Sequence, residues 1–264
     1  MDIALFLILG AFVGLAAGTF GIGGGIIVVP TLLFAFHFYG FAEESIMHMA
    51  VASSLASIVL TSSVSVIAHY RRGGVLRSAC MHLMPGLLTG AFIAGIVADF
   101  FSSNALKGIF VAIQLMVAWQ LLFEHKPSLQ RTLPPWPAGI LAGNLIGAIS
   151  ALAGIGGGSL IAPYLIYWNI PPSRAVGTSA ACGLPIAIMG MSGFILIGLD
   201  KTDLPAGSIG YVYLPTLLPL VITSMLFAPL GARIAHKLPG ALLKQLMGVF
   251  LLLMGCGIVL TMFV

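Results

Sequence analysis

The chain has 264 residues, 59% of them hydrophobic and 7% charged, with a formal net charge of +4 and a mean hydropathy of +1.13. A soluble domain carries roughly a quarter charged residues, so the composition excludes a soluble enzyme or nucleic-acid-binding protein and predicts an all-α integral membrane protein; the alternation of a β-barrel is absent. Cys80, Cys182 and Cys256 lie far apart in sequence and the six histidines form no ligand pattern, so neither a disulfide scaffold, nor a metal site, nor a bound cofactor is expected.

Residues 3–42 contain no Asp, Glu, Lys or Arg. Forty helical residues would extend about 60 Å, twice the hydrocarbon core. The run Gly21-Ile22-Gly23-Gly24-Gly25, followed by Pro30, divides the segment, because glycine is costly inside a helix. The expected element is a broken helical hairpin over 3–41. Glu43 and Glu44 are assigned to a loop, with helices at 49–68, 83–98 and 108–123. A basic loop holds Arg71, Arg72 and Arg77. Residues 1–125 make a first repeat, and 126–136 a proline-containing linker.

The second repeat, 137–264, follows the same plan. Gly154-Ile155-Gly156-Gly157-Gly158, then Ser159 and Pro163, stands 133 residues after the first run, with four glycines and the proline at identical spacing. The expected elements are a hairpin over 137–169 and helices at 175–199, 207–232 and 246–264. Ala50–Ser54 and Ala175–Ser179 echo one another. No basic stretch precedes the first apolar run, so no cleavable signal is expected.

Charge sets the expected topology. If each glycine stretch were one crossing, the eleven basic residues would split 6:5 between the two sides. If each is a hairpin with both ends on one side, the split becomes 9:2, with only Lys107 and Lys201 outside. The hairpin arrangement therefore predicts two inverted repeats in a plasma membrane of the bacterial inner-membrane type, with both termini outside.

Each glycine run is expected to start a new helix, whose free N–H groups and positive dipole end favour an anion. A break inside apolar sequence is tolerated where it lines a cavity or is buried in protein. The candidate substrate-binding residues are Gly21, Gly23, Gly24, Gly25, Gly154, Gly156, Gly157, Gly158 and Ser159, with hydroxyls from Ser53, Ser54, Thr178 and Ser179. Close helix packing through small residues is the competing role. Pro30, Pro163, Asn144 and Gln114 are expected to be structural, the two amides through inter-helix hydrogen bonds. His48, His69 and His82 are expected to anchor helix ends at the interface, and no buried Lys or Arg is expected. The runs lack the Gly-Lys-Ser/Thr ending of a phosphate loop, so nucleotide binding is not supported.

The paired Gly-Ile-Gly-Gly-Gly…Pro segments, the half-chain duplication and Gly177-Thr178-Ser179 resemble the sulfite exporter TauE/SafE family of membrane transporters. The resemblance covers the whole chain and implies transport, usually export, of sulfur-containing anions such as sulfite or sulfonates. Ala52-Ser53-Ser54 departs from the Gly-Thr-Ser of the second half. The expected function is a secondary transporter rather than an enzyme, with the lipid bilayer and a small anion as partners and a homo-oligomer left open. The rivals are a channel-like anion pore and a membrane enzyme or assembly subunit.

Overall fold

In a computed structural model, the protein is described over residues 3–20, 24–71, 73–122, 133–235 and 237–262. Among the described residues, five helices belong to the first half of the chain: α1 (Ile3–Phe20), α2 (Gly25–Phe38), α3 (Glu43–Arg71), α4 (Arg77–Val97) and α5 (Ser103–Leu122). Five more follow: α6 (Trp136–Leu152), α7 (Gly158–Tyr167), α8 (Pro172–Gly198), α9 (Leu214–Ala235) and α10 (Gly240–Leu260). Four of them, α3, α4, α8 and α9, are long and apolar enough to cross a membrane. The arms around the glycine runs are unequal. At 1.5 Å per residue, α1 (18 residues) reaches about 27 Å, whereas α2 (14) and α7 (10) reach only about 21 Å and 15 Å. The two short arms cannot span a core of roughly 30 Å.

Several helices begin earlier than expected. Glu43 and Glu44 form the first turn of α3 rather than a loop, where carboxylates favour the helix's positive end. Arg77 opens α4. Pro172 starts α8, because proline needs no hydrogen bond in a first turn. The larger correction falls at 207–232. Its first residues form an antiparallel hairpin of β1 (Ser208–Ile209) and β2 (Val212–Tyr213), and α9 starts only at Leu214. Gly207 (φ +92°) and Gly210 (φ +53°) adopt backbone conformations that no helix contains. The linker expected at 126–136 lies mostly outside the described residues.

Glycine stripes set the helix packing. Along α1, Gly10, Gly14 and Gly18 lie against the backbone of Leu220, Ser224 and Ala228 on α9, so the two helices run side by side in the same direction. Along α6, Gly139, Gly143 and Gly147 lie against His82, Leu83 and Leu87 on α4, again in the same direction. Gly86 and Gly90 of α4 face Ile140 and Asn144 in return. Small residues at four-residue spacing allow such close approach in a bilayer. The first helix of each half is thus clasped by the fourth helix of the other. The third helices α3 and α8 pack together, as do the fifth helices α5 and α10.

Among the described residues, Glu43 and Asp99 each hold a lysine. Asp99 accepts from Lys201 Nζ (3.0 Å to Oδ1) and from Tyr211 Oη (3.1 Å). The Asp99 hydrogen bond holds the Lys201 ammonium above the ordinary lysine range, and burial, followed by Asp99, raises the Tyr211 phenol. Glu43 bonds His37 Nδ1 (2.5 Å) and Lys107 Nζ (3.1 Å). Lys107 is 1% exposed, against the expectation of no buried base, and its Nζ also donates to the Thr261 carbonyl (3.3 Å). A charge in such a place needs both partners, since stripping one costs on the order of 3 kcal/mol.

His48 also departs from expectation. It is 3% exposed rather than interfacial, bonded through Nε2 to Ala98 O (3.1 Å) and stacked on Tyr211. His82 is half-buried beside Trp136 near the start of α6.

Candidate functional site

The two glycine runs touch. Gly21 and Gly23 lie outside the described residues. Gly24 is the N-cap of α2, and Gly25 is its first residue. A side chain at Gly25 would strike the carbonyl of Gly154 (2.5 Å) and the Cα of Ile155 (3.0 Å). The start of α2 therefore rests on the second run.

That second run is a built turn. Helix α6 ends with Ala153 as its C-cap, and Gly154 follows in the left-handed region (φ +65°). Ile155 N–H donates to Ser150 O (2.8 Å) and Gly154 N–H to Ala151 O (3.1 Å), which satisfies the last carbonyls of α6. Gly157, again left-handed (φ +71°), is the N-cap of α7. Between the two caps only three residues pass, so the chain reverses almost on the spot. Gly156 sits against Ile58 of α3, and its carbonyl faces Gly183 of α8. Gly158 opens α7, and Ser159 is 6% exposed in its first turn. At a helix start the first N–H groups have no carbonyl one turn back to bond; here the Ile27 and Val28 N–H groups return to Gly24 O, and those of Leu160 and Ile161 to Gly157 O.

The two caps differ. Gly24 is right-handed (φ −64°), and a Cβ there would meet only Val28 Cγ2 at 3.7 Å. Gly157 is left-handed, and a Cβ would press on Ile186 (2.6 Å) and Ile161 (2.9 Å). Pro30 and Pro163 lie inside α2 and α7, at the same distance beyond each cap.

All four candidate hydroxyls are buried and already engaged. Ser53 Oγ accepts from Tyr213 N–H (3.0 Å), immediately before α9. Thr178 Oγ1 accepts from Leu76 N–H (2.9 Å), immediately before α4. A hydroxyl on each half's third helix thus holds the entry to the other half's fourth helix. Ser54 Oγ donates to Gly154 O (2.8 Å), locking α3 to the glycine turn, whereas Ser179 Oγ donates to Val176 O (2.8 Å) in its own helix. Neither the crosswise clasp nor the partners of these oxygens can be seen in residue spacing, because each bond joins residues 100 or more positions apart, apart from that of Ser179.

Asn144 Nδ2 donates to Thr89 Oγ1 across α6 and α4 (3.1 Å). Gln114, fully buried on α5, meets no hydrogen-bond partner among the described residues. A groove of about 320 Å³ opens between α1, α2 and α10, lined by Leu5, Leu9, Phe12, Phe34 and Met254. Its apolar walls suit hydrocarbon rather than an anion.

Comparison with known proteins agrees over the whole length. A "Probable membrane transporter protein" of Haemophilus influenzae is 34% identical over 98% of both chains. Another of Methanocaldococcus jannaschii is 30% identical, covering 95% of this chain and 93% of its own. The Bacillus subtilis protein YunE, named in the same way, is 25% identical over 98% of each. No solved structure matches. The family model described as "Sulfite exporter TauE/SafE" matches residues 6–258, and with relatives of this identity and coverage the chain belongs to that family of multi-pass membrane transporters.

Proposed function

We propose that this transporter carries a small sulfur-containing anion, such as sulfite or an organosulfonate, by alternating access between two inverted repeats. The observation that carries the proposal is the contact between the two glycine runs, Gly25 on Gly154, at the place where α2 starts and α7 starts four residues on. Helix N-termini that begin inside a membrane fold point positive dipole ends at a shared point, an arrangement suited to an anion. The anion is held by backbone N–H groups of the two runs, among them those of Gly25, Gly156 and Gly158, while the Gly157 N–H is already given to Ile155 O (2.8 Å). Of the four hydroxyls, Ser54 braces the second turn at Gly154, while Ser53, Thr178 and Ser179 are committed to backbone groups elsewhere.

Packing directions support the inverted arrangement. The C-terminal end of α4, at Ala98 and Asp99, meets Tyr211 just before α9, so α4 and α9 run oppositely. Since α1 runs with α9 and α6 with α4, the two halves face opposite ways. The two bases assigned to the outer side, Lys107 and Lys201, are those paired with Glu43 and Asp99, so the exceptions to the positive-inside pattern are neutralised where they stand. Cysteine labelling in intact cells, on a Cys256→Ser background, checks this. Thr202→Cys should react with an impermeant maleimide and Ser173→Cys should not, both positions being exposed. Labelling of Ser173→Cys from outside overturns the inverted topology.

The substrate proposal is tested on purified protein in liposomes against sulfite, sulfate, thiosulfate, sulfoacetate and taurine. Saturable uptake of a sulfur anion, accelerated by the same anion on the opposite side, is the expected result. Non-saturating conductance instead identifies a pore, and transport of none of these anions removes the substrate class.

A further inference from the structure

Cys80 and Cys182 are separated by 102 positions, yet their sulfurs lie 3.4 Å apart. Cys80 sits in the first turn of α4, and Cys182 lies eleven residues into α8. The contact is held by the backbones around it. Leu76 N–H is bonded to Thr178, Gly177 abuts Gly74, and Gly95 abuts Gly193, so α4 and α8 run side by side at glycine distance. Cys80 Sγ also approaches the Thr178 carbonyl (3.9 Å). Both thiols are free, and no metal-ligating group of three or more His, Cys, Asp or Glu occurs among the described residues to give them a shared ion.

A disulfide needs sulfurs about 2.05 Å apart, so closure requires about 1.4 Å of movement, within reach of side-chain rotation at two neighbouring helices. We propose that Cys80 and Cys182 form a thiol-oxidation site that takes a small neutral peroxide and closes to a disulfide joining the two halves of the protein. Cys80 is 9% exposed and Cys182 fully buried, so the peroxide meets Cys80 first. In the first step the O–O bond breaks, an S–O bond forms, Cys80 becomes a sulfenic acid and one water leaves. In the second, Cys182 sulfur attacks Cys80 sulfur. The S–O bond breaks, and the hydroxyl departs with the Cys182 proton as a second water. Peroxide is the oxidant, and the two thiols give up two electrons.

The bond would tie α4 of the first half to α8 of the second. This effect on activity rests on the proposed alternating access, in which those halves move against each other, whereas the bond itself does not. A covalent tie across that seam stops the cycle until a thiol reductant opens it.

The test uses the full-length protein with Cys256→Ser, because Cys256 is exposed on α10 and would react separately. Hydrogen peroxide should lower the intact mass by two hydrogens, and peptide mapping should find Cys80 joined to Cys182. Transport of the substrate found in the liposome screen should fall at least tenfold and recover with dithiothreitol. In Cys182→Ser, dimedone should capture the Cys80 sulfenic acid and peroxide should leave transport unchanged. If both thiols remain alkylatable after peroxide, the site is overturned, whatever the protein transports. If the disulfide forms and transport continues, the lock is overturned. The mass measurement stands without any substrate, so failure of the transport proposal is recognised separately.

Discussion

Gly24→Ala should leave the protein folded and raise its apparent Km for the transported anion at least tenfold. Gly24 is right-handed at φ −64°, and an added methyl finds only Val28 Cγ2, at ordinary contact distance. The backbone therefore accepts alanine without strain, which makes this position a clean probe of ligand contact. The methyl projects from the N-cap of α2, where the proposed anion meets N–H groups. Losing one charge-assisted hydrogen bond costs roughly 1.5–3 kcal/mol, and 1.4 kcal/mol is a factor of ten. Gly157→Ala should lower transport as well, but for a mixed reason. Its φ of +71° and its contacts with Ile186 and Ile161 add roughly 1–3 kcal/mol of strain to the folded state. Initial rates against anion concentration, beside thermal unfolding in detergent, separate the two effects. Wild-type kinetics in a well-folded Gly24→Ala protein would place the anion elsewhere and leave the glycines as packing devices.

Gly14→Leu and Gly147→Leu should each prevent stable assembly. At Gly14 even a Cβ would come within 2.7 Å of Ser224 Cα, and at Gly147 within 2.6 Å of Leu87 O. Those atoms are backbone of a neighbouring helix, which cannot turn aside as a side chain can. Alanine should cost about 1–3 kcal/mol, the usual range for overpacking, and leucine more. Because α1 with α9 and α4 with α6 are equivalent seams, both variants should fail similarly, as aggregated or degraded protein in fluorescence-detected gel filtration. A monodisperse Gly14→Leu protein with wild-type thermal stability would contradict the α1–α9 seam.

Much of the architecture is legible in the amino-acid order because it depends on local chemistry. Apolar length marks the helices, and a glycine run marks a break wherever it occurs. The paired spacing of Gly21–Pro30 and Gly154–Pro163 also marks the equivalent arms, short in both halves. The β-hairpin at 208–213 is hidden because apolar Ile209, Tyr211, Val212 and Tyr213 look alike in a helix or a strand; only Gly207 and Gly210 carry the signal. Lys107 and His48 read as surface residues because a lone basic side chain is normally solvated. Their burial depends on Glu43, Thr261, Ala98 and Tyr211, partners brought together only by the finished fold. Cys80 and Cys182 show the same blindness from the other side, as distance along the chain hides sulfurs in contact. The stripe Gly10, Gly14, Gly18 stands at four-residue spacing in the sequence, but spacing alone does not name α9 as the helix it meets.

The crosswise clasp of Ser53 on Tyr213 and Thr178 on Leu76 has a consequence for how the chain is made. The partner of Leu76 is synthesised 102 residues later, and the partner of Ser53 160 residues later. A ribosome delivering the first five helices therefore leaves the N–H group at the entry to α4 without the Thr178 hydroxyl that holds it in the finished fold. The early half must wait in the bilayer, loosely packed, until α8 arrives to close it. Maturation is then governed by the last-made helices, and a chain cut near the linker would persist as a substrate for quality-control proteolysis rather than as half a transporter.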